Sequence, residues 1–282
     1  MDGLTTASFI RQDIRGIHPQ AIVAPEARIG RDVRIGPFCT VGPDVVIEDG
    51  AELISHVVVD GHTLIGAGAK LFPFCSVGLA PQDLKYRGEA TRCVIGPRTQ
   101  VREHVTIHRG TATGRGITTV GANCLLMAAS HVAHDCAVGD GVIVANNAVM
   151  GGHVSIGDGA VIGGQAAIHQ YARIGRGAMI SGVTGVAADV VPFGMVFGNR
   201  GVLTGLNFIG LARRGYDRAQ VHRLRAAFNL LFAGDGIFAA RIREARARFA
   251  GDALVGEVLD FIAMPSERGL IQARLGSMAV EG

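Results

Sequence analysis

Two histidines and an aspartate lie close together near the middle of the 282-residue chain, in the segment Ser130–Asp135. A neutral imidazole titrates near neutral pH, so it can take a proton from a hydroxyl group. A carboxylate directly beside it can hold the ring in one orientation. His134 and Asp135 are therefore a candidate general base and its orienting carboxylate, provided that the scaffold around them presents both side chains to a substrate.

Aliphatic residues recur at every sixth position through most of the chain. The runs extend from Ile17 to Val77, from Ile95 to Ile107 and from Val120 to Val186. Self-similarity at this short fixed period predicts a parallel β-helix. The residue two positions before each aliphatic residue is usually small or β-branched, as expected if both face inward from one strand. Glycine often follows the aliphatic residue, and we attribute it to corner backbone angles that other residues adopt less readily.

The repeat resembles that of the hexapeptide-repeat acyltransferases. The resemblance implies a mainly β fold, a left-handed parallel β-helix with three hexapeptides in each coil. In such a coil, residues that are eighteen apart stack with a separation of roughly 4.8 Å. Three segments would then lie above one another just past one corner, namely Ala133–Asp135, Gly151–His153 and His169–Tyr171. We expect their side chains to form an outward-facing vertical strip.

The predicted strip contains the groups that acyl transfer needs. They are His134, Asp135, His153, His169 and Gln170, together with the bare backbone of Gly152. A well-placed base contributes roughly 10²–10⁴ in rate, and a backbone N–H without a side chain in the way can hold a developing oxyanion. The strip offers no obvious serine or cysteine nucleophile, which favours direct acyl transfer over a covalent intermediate.

Two alternatives from other functional classes stay open. Histidine clusters on left-handed β-helices also resemble those of the γ-class carbonic anhydrases, in which histidines bind zinc between subunits. Zinc hydrolysis needs three protein ligands and an open water position, whereas His131 and His134 straddle a corner. The second alternative is a solenoid that binds a partner without catalysis. We expect no metal at this site.

Composition narrows the class of protein. The 41 glycines are about twice the usual share, and the many corners of a β-helix account for them. Mean hydropathy is +0.32, yet no run of about eighteen apolar residues indicates a membrane-spanning helix. Residues 1–16 lack the apolar block of a signal peptide, so we expect a cytoplasmic protein. The net charge of +3 is too small to indicate nucleic-acid binding.

Two interruptions and one change of period divide the chain. The repeat breaks at residues 79–94 and again at 109–119, and insertions in solenoids tend to fall on one face, often the binding face. The hexapeptide period fades before residue 195. We therefore expect an N-terminal extension at residues 1–16, a β-helix at 17–195 and a helical domain at 196–282.

The C-terminal part has apolar residues at helical spacing. Asp217 is the expected N-cap of a helix that reaches about Ala233, and two further helices are expected at 237–249 and 253–264. The region is rich in arginine, at positions Arg213, Arg214, Arg218, Arg223, Arg225, Arg241, Arg243, Arg246 and Arg248. These arginines form either a solvated helix face or a docking surface for an acidic partner.

Several motifs make the resemblance specific. They are Gln82-Asp83-Leu84-Lys85-Tyr86, Ile107-His108-Arg109-Gly110-Thr111, His131-Val132-Ala133-His134-Asp135-Cys136, Ala145-Asn146-Asn147, Gly152-His153-Val154, Ile168-His169-Gln170, and Asn207 followed by Gly210-Leu211-Ala212-Arg213-Arg214-Gly215. Together they resemble the UDP-N-acetylglucosamine O-acyltransferase family, which catalyses the first step of lipid A biosynthesis. The resemblance runs from about Ile17 to Arg225, and more loosely to Ile271.

The resemblance implies a reaction and its participants. A (3-hydroxy)acyl chain moves from the phosphopantetheine thioester of acyl carrier protein to the 3-hydroxyl of UDP-N-acetylglucosamine. The family needs no bound cofactor. It forms homotrimers with each site between two subunits, and the basic side of the helical domain would meet the acidic carrier protein.

The resemblance also implies a role for individual residues. His134 would be the general base, Asp135 its orienting carboxylate, and the Gly152 amide the oxyanion hole. The binding site for the sugar and diphosphate would be lined by Asp83, Lys85, His131, His153 and His169, and Gln170 would lie nearer the acyl donor. The nucleotide and phosphates would be contacted by Asn207, Arg213 and Arg214, because the arginine fork pairs with phosphate oxygens. Gly182 and Arg200 would set acyl-chain length, and Gly182 leaves room for a long chain.

Two positions depart from the family pattern. Ile209 stands where the family commonly has a glutamate that can accept a hydrogen bond, and Arg200 replaces the residue often found near the acyl-chain end. The sibling N-acyltransferases of the pathway carry an extra N-terminal domain, whereas only sixteen residues precede the repeat here. Acyl-chain length, the need for a 3-hydroxyl on that chain, and a 3-amino UDP-sugar as acceptor stay open.

Overall fold

The computed structural model describes residues 16–274. The predicted extension at residues 1–16 lies outside the described residues except for Gly16. Short strands occupy the chain as far as Leu206, and helices follow from Phe208 onward. Within the described part, no helix combines the length and the apolar character needed to cross a membrane.

The strands are mostly two residues long. The first nine are β1 (Ile22–Val23), β2 (Arg28–Ile29), β3 (Arg34–Ile35), β4 (Thr40–Val41), β5 (Val46–Ile47), β6 (Glu52–Leu53), β7 (Val58–Val59), β8 (His62–Ile65) and β9 (Lys70–Leu71). The next nine are β10 (Ser76–Leu79), β11 (Arg92–Ile95), β12 (Gln100–Val101), β13 (Thr106–His108), β14 (Ile117–Val120), β15 (Leu125–Leu126), β16 (His131–Val132), β17 (Ala137–Val138) and β18 (Ile143–Val144). The last nine are β19 (Val149–Met150), β20 (Ser155–Ile156), β21 (Val161–Ile162), β22 (Ala167–Ile168), β23 (Arg173–Ile174), β24 (Met179–Ile180), β25 (Gly185–Val186), β26 (Gly194–Phe197) and β27 (Val202–Leu206).

These strands form the three faces of a prism. Sheet 1 has the order β1-β4-β7-β10-β13-β16-β19-β22-β25, and sheet 2 has the order β2-β5-β8-β11-β14-β17-β20-β23. Sheet 3 has the order β3-β6-β9-β12-β15-β18-β21-β24-β26-β27. Each coil contributes one strand to each sheet in turn, and the strands pair in parallel up to β26, which pairs with β27 in antiparallel fashion. The predicted left-handed parallel β-helix is confirmed.

Strand pairing confirms the eighteen-residue stacking. His131 of β16 pairs with Val149 of β19, which pairs in turn with Ala167 of β22. The register also survives the interruptions of the repeat, because Ile95 of β11 pairs with both Ile65 and Val120. Side chains at equivalent positions of successive coils therefore lie directly above one another.

The repeat aliphatic residues form one continuous core. Ile35, Ile65, Leu126 and Ile162 are each fully buried, and burying a side chain of this size contributes roughly 1.5–3 kcal/mol. Because the strands alternate, the small residue two positions earlier faces the same interior, as Cys39 does before Val41. The strip at the corner is thus backed by a continuous apolar core.

Most repeat glycines serve close packing between coils, so our explanation by backbone angles is wrong for them, with Gly78 (φ 78°) as an exception. The left-handed φ angles of the corners mostly belong to the residue two positions after the repeat glycine. That residue is usually not glycine, as at Asp32 (φ 55°) and Phe38 (φ 60°). A Cβ on Gly66 would lie 2.7 Å from the backbone nitrogen of Pro97 and 2.8 Å from the carbonyl oxygen of Ile95 in the next coil. No side chain fits at that separation, whatever the backbone angle.

Both interruptions leave the prism at the corner between sheets 1 and 2. The first excursion, residues 80–91, joins β10 to β11, and the second excursion, residues 109–116, joins β13 to β14. Both are shorter than the sequence pattern predicts because β10, β11 and β14 extend into the predicted breaks. This corner also carries the three stacked segments of the strip.

Four helices follow the solenoid in the described part of the chain: α1 (Phe208–Arg213), α2 (Arg218–Phe232), α3 (Phe238–Arg248) and α4 (Ala253–Ala263). The three predicted helices are confirmed, and Asp217 caps α2 in a capping box with Gln220. The short α1, capped by Asn207, was not predicted. The domain division after residue 195 stays a prediction, and β26 runs across that position.

Candidate active site

The corner between sheets 1 and 2 brings the predicted strip together. The His153 N–H donates to the carbonyl oxygen of His134 at 3.0 Å, and the Tyr171 N–H donates to that of Gly152 at 3.1 Å. These backbone bonds hold the three segments one above another. They fix the relative heights of the side chains that project from the corner.

His134 and Asp135 form a hydrogen-bonded pair. The distance between His134 Nδ1 and Asp135 Oδ2 is 2.9 Å, and their side chains are 15% and 0% exposed. A carboxylate that accepts a bond from Nδ1 selects the imidazole tautomer with its proton on that nitrogen. The Nε2 atom of His134 then keeps its lone pair and can accept a proton from a substrate.

Asp135 does not face outward, contrary to our prediction for the strip. The second excursion folds over it and satisfies its carboxylate. Thr111 donates its N–H at 3.1 Å and its hydroxyl to Oδ2 at 2.6 Å, and the Gly116 N–H donates to Oδ1 at 3.0 Å. The Asp135 N–H itself donates to Thr118 Oγ1 at 2.8 Å. The sequence predicted no contact with Asp135 for Thr111, which belongs to one of the family motifs, or for Gly116, because both lie outside the repeat.

These hydrogen bonds keep the Asp135 carboxylate ionised. Burial alone raises the pKa of Asp135, but the hydrogen bonds from Thr111 and His134 outweigh it, so its pKa lies below the ordinary value. An ionised Asp135 leaves the proton on Nδ1 of the neighbouring ring. The orientation and tautomer of His134 therefore follow from the charge state of its partner.

The backbone of Gly152 lies directly against the ring of His134. A Cβ at this position would lie 2.5 Å from Cε1 and 2.6 Å from Nε2 of that ring. Only glycine leaves room for the imidazole. Among the described residues, no acceptor takes a hydrogen bond from the Gly152 N–H, so this donor is free for a ligand beside the candidate base.

His153 packs between His134 and Tyr171. Its ring meets that of His134 edge-on, with centroids 5.1 Å apart, and stacks on that of Tyr171 at 4.4 Å. Burial lowers the pKa of His153, partly opposed by the carboxylates of Asp135 and Asp83. Asp83 belongs to the first excursion, which leaves the prism at this corner, and its role at the sugar stays a prediction.

A second histidine pair lies one coil below. His131 places Nδ1 2.7 Å from Thr106 Oγ1, and its ring meets that of His108 edge-on at 4.8 Å. His108 is 7% exposed, and burial, with the charges of His131 and His134, lowers its pKa to about 4. No described residue partners its Nδ1 atom. His108 was quoted in a motif but was assigned no role from the sequence.

The remaining predicted sugar-site residues lie at the rim of the same corner. Lys85 is exposed, and its N–H donates to Asp83 Oδ1 at 2.9 Å. His169 and Gln170 are exposed on the coil above Gly152, where His169 Nδ1 lies 3.1 Å from the carbonyl oxygen of Gln170. Their assignment to substrate contacts stays a prediction.

The predicted nucleotide-binding residues lie at a different corner, between sheets 2 and 3. The Asn207 amide donates to the carbonyl oxygen of Gly177 at 3.0 Å, and the Arg214 guanidinium donates to the carbonyl oxygens of Gly159 and Gly210. Arg213 is exposed. One chain therefore does not bring these residues to His134. Arg214 is also less free to hold a phosphate than the sequence suggests.

The residues assigned to acyl-chain length are separated. Gly182 is exposed at the corner between sheets 3 and 1, whereas Arg200 lines a cleft of about 760 Å³ over the upper end of sheet 1. His169 lies at the other side of that cleft. Ile209, which replaces the usual glutamate, is 68% exposed on α1.

One group of side chains in the described residues has the spacing of a metal site. His134, Asp135 and His153 each offer a donor atom, and these atoms lie within 4.8 Å of one another. Two imidazoles and one carboxylate suit zinc. However, Oδ2 of Asp135 already accepts hydrogen bonds from His134 and Thr111, which is the arrangement of an oriented base.

The chain matches known proteins over almost all of its length. Residues 189–271 match a family model described as Udp N-acetylglucosamine O-acyltransferase; Domain 2, and residues 117–152 match one described as bacterial transferase hexapeptide (six repeats). The acyl-[acyl-carrier-protein]–UDP-N-acetylglucosamine O-acyltransferase of Caulobacter vibrioides is 54% identical, covering 90% of this chain and 97% of that protein. The chain belongs to the UDP-N-acetylglucosamine O-acyltransferase family.

Further members of the family agree in sequence and in fold. The enzyme of the same name from Rhizobium johnstonii is 46% identical over 90% of this chain and 93% of its own. The crystal structure of UDP-N-acetylglucosamine O-acyltransferase from Moraxella catarrhalis superposes with a TM-score of 0.88 at 37% identity, covering 91% of this chain and 99% of that one. The family predicted from the motifs is confirmed, and the protein is an acyltransferase.

Proposed function

We propose that this acyltransferase moves a (3-hydroxy)acyl chain from acyl carrier protein to the 3-hydroxyl of UDP-N-acetylglucosamine, the first step of lipid A biosynthesis. One observation carries the proposal: a hydrogen-bonded His134–Asp135 pair lies against the bare backbone of Gly152, in a family whose members are named for this transfer. Both substrates are water-soluble, so we place the reaction in the cytoplasm.

The geometry supports direct transfer in one addition–elimination sequence. The sugar 3-hydroxyl attacks the thioester carbonyl carbon while its proton passes to Nε2 of His134. The carbonyl oxygen becomes an oxyanion that the Gly152 N–H can stabilise. The carbon–sulfur bond then breaks, and the proton on His134 goes to the leaving phosphopantetheine thiol. No cofactor is consumed, and base and oxyanion donor return to their starting states.

We propose that the complete site is shared between subunits of a homotrimer. His134 lies at the corner between sheets 1 and 2, whereas Asn207 and Arg213 lie at the corner between sheets 2 and 3. The whole width of sheet 2 separates them in one chain. A neighbouring copy can supply the nucleotide-binding residues, and the exposed Arg213 has a guanidinium suited to phosphate oxygens.

The helical part supports docking of an acidic carrier protein. Arg218, His222 and Arg225 line a recess of about 390 Å³ between α1 and α2, together with Phe208. Arg223 belongs less to this surface, because it pairs with Asp252 at 2.7 Å and so fastens α2 to the start of α4. The cleft between His169 and Arg200 is a suitable place for the acyl chain.

A single assay tests the proposed reaction. Purified protein is treated with a chelator and incubated with UDP-N-acetylglucosamine and a series of acyl carrier proteins, each loaded with one acyl chain, with and without a 3-hydroxyl. Mass spectrometry identifies the products. We expect one acylated sugar nucleotide without added metal, and the preferred chain gives the length and the hydroxyl requirement.

Two other outcomes would contradict the proposal in different ways. Product formed only from a 3-amino UDP-sugar would show that the acceptor is an amine. Activity that returns only with added zinc would indicate that His134, Asp135 and His153 act as metal ligands.

A further inference from the structure

We propose that Thr111 is a positioning residue for acyl transfer, whose hydroxyl fixes the carboxylate of Asp135 and through it the orientation of His134. The inference rests on the proposed function, because it assigns a role within that reaction. It concerns a residue of the second excursion, which lies against Asp135 and His153 of the strip. Thr111 itself is 2% exposed.

Aspartates at other corners show what a purely structural carboxylate does in this solenoid. The Arg31 N–H donates to Asp49 Oδ1 at 2.8 Å, and the Ala122 N–H donates to Asp140 Oδ1 at 2.7 Å. In each case the side chain joins its own coil to the coil below. The bond from the Gly116 N–H to Asp135 Oδ1 follows the same pattern, so by itself it indicates only a stabilising role.

The second oxygen of Asp135 distinguishes it from these structural aspartates. Oδ2 of Asp49 accepts from the guanidinium of Arg31, which is a simple ion pair. Oδ2 of Asp135 instead lies 2.6 Å from the hydroxyl of Thr111 and 2.9 Å from Nδ1 of His134. The hydroxyl therefore acts on the same oxygen atom that orients the base.

A hydroxyl donor at this oxygen has two physical effects. It opposes rotation of the carboxylate, so Oδ2 stays where Nδ1 of His134 can reach it. It also lowers the proton affinity of Oδ2, since a hydrogen bond to the charged form favours that form. The proton then remains on Nδ1, and Nε2 remains a proton acceptor for the sugar hydroxyl.

The second excursion also packs tightly against the Asp135 carboxylate and separates it from solvent. Gly114 lies so close that a Cβ there would collide with the carboxylate of Asp135 and would lie 2.6 Å from Cε1 of His153. The carboxylate is fully buried. Loss of the Thr111 hydroxyl would therefore leave a position on Oδ2 that solvent does not fill.

The test compares two substitutions at one position. Thr111→Val keeps the shape and removes the hydroxyl, and we expect kcat to fall on the order of 10-fold with KM for UDP-N-acetylglucosamine changed less than about 2-fold. The titratable groups beside Asp135 are His134 and His153, at 2.9 and 3.9 Å from Oδ2, and the buried thiol of Cys136. Because a lost donor raises the carboxyl pKa, the acid limb of the kcat profile should move to higher pH. Thr111→Ser should restore both values.

Thr99→Val is the matched control. The Thr99 hydroxyl is equally buried, donates to the carbonyl oxygen of Gly121 at 2.7 Å and accepts from the Cys124 N–H at 3.0 Å. It joins coils at the corner between sheets 2 and 3, away from His134. This variant should lose thermal stability comparably while keeping the wild-type kcat and pH profile.

The outcomes separate this inference from the proposed reaction. Wild-type kcat and pH profile in Thr111→Val would overturn the positioning role, as would a serine variant that does not recover. If the valine variant does not fold, Thr111→Ala removes the hydroxyl without a methyl group against the carboxylate, and the same readouts apply. Wild-type protein that makes no acylated sugar nucleotide would instead overturn the proposed function itself.

Discussion

The ring of His134 occupies space that a side chain at Gly152 would fill. We predict that Gly152→Ala lowers kcat by roughly 10²-fold or more. The new Cβ would lie 2.5 Å from Cε1 of His134, so it would displace the imidazole, and it would also cover the free Gly152 N–H. Gly164→Ala is the control. Gly164 occupies the same position in a hexapeptide, but at the corner between sheets 3 and 1. A Cβ there would meet only the carbonyl oxygen of Asn146, at 3.4 Å. Steady-state kinetics of the two variants would show equal activity if the ring contact were unimportant.

His108 makes the stability of the protein depend on pH. Burial lowers its pKa from 6.5 to about 4, so between these values the unfolded chain binds the proton more readily. Stability is therefore lost as the pH falls from 6.5 towards 4, by up to about 3 kcal/mol from this residue. We predict that His108→Gln reduces the drop in melting temperature between pH 7 and pH 4.5. His104→Gln, a change at an exposed histidine, should leave that drop unchanged.

Two neighbouring arginines at the end of α1 have different environments. Arg213 is exposed, whereas Arg214 ties α1 to the solenoid through the carbonyl oxygen of Gly159. We predict that Arg213→Ala raises KM for the UDP-sugar several-fold at an unchanged melting temperature, because it removes the guanidinium that we propose binds a phosphate. Arg214→Ala should lower the melting temperature by several degrees. The same thermal shift in both variants would contradict this division.

Helix α2 should carry the contact with acyl carrier protein. We predict that Arg218→Glu raises KM for acyl carrier protein, and that the effect shrinks as salt screens the charges. Arg243→Glu on α3 is the control, since it makes the same charge change on an exposed residue outside the recess between α1 and α2. Salt-independent or equal effects in the two variants would place the docking surface elsewhere.

The elements show how far the sequence predicts this protein. The six-residue period predicted the stacking of His134 on Gly152, since each coil repeats the same hydrogen-bond register. It could not predict the burial of Asp135, because Thr111 and Gly116 belong to an aperiodic segment that folds back over a corner. Nor could it predict that Arg214 bonds to Gly159, because that contact joins positions far apart in sequence. Contacts within the repeat can be predicted from its period, whereas contacts made by irregular segments depend on tertiary packing that the sequence pattern does not specify.

The whole molecule should work only as an assembly if the nucleotide is held by a neighbouring copy. We predict that co-expression of His134→Ala and Arg213→Ala chains yields mixed trimers in which some sites regain the wild-type KM for the UDP-sugar, whereas the His134→Ala parent is inactive and the Arg213→Ala parent has only the raised KM. In such a trimer, one interface combines an intact His134 with an intact Arg213. Separately purified parents, mixed without subunit exchange, serve as the control. Kinetics that show only the raised KM of the Arg213→Ala parent would show that each chain holds a complete site.

The resumption of strand register after each excursion also bears on how such an enzyme can change over generations. Ile65, Ile95 and Val120 pair in succession although segments of different length lie between them. Residues can thus be gained or lost at the corner between sheets 1 and 2 without disturbing the buried stack. Proteins that share the scaffold can therefore evolve different loops around the base without loss of the fold. Such changes can alter which acceptor substrate the site binds.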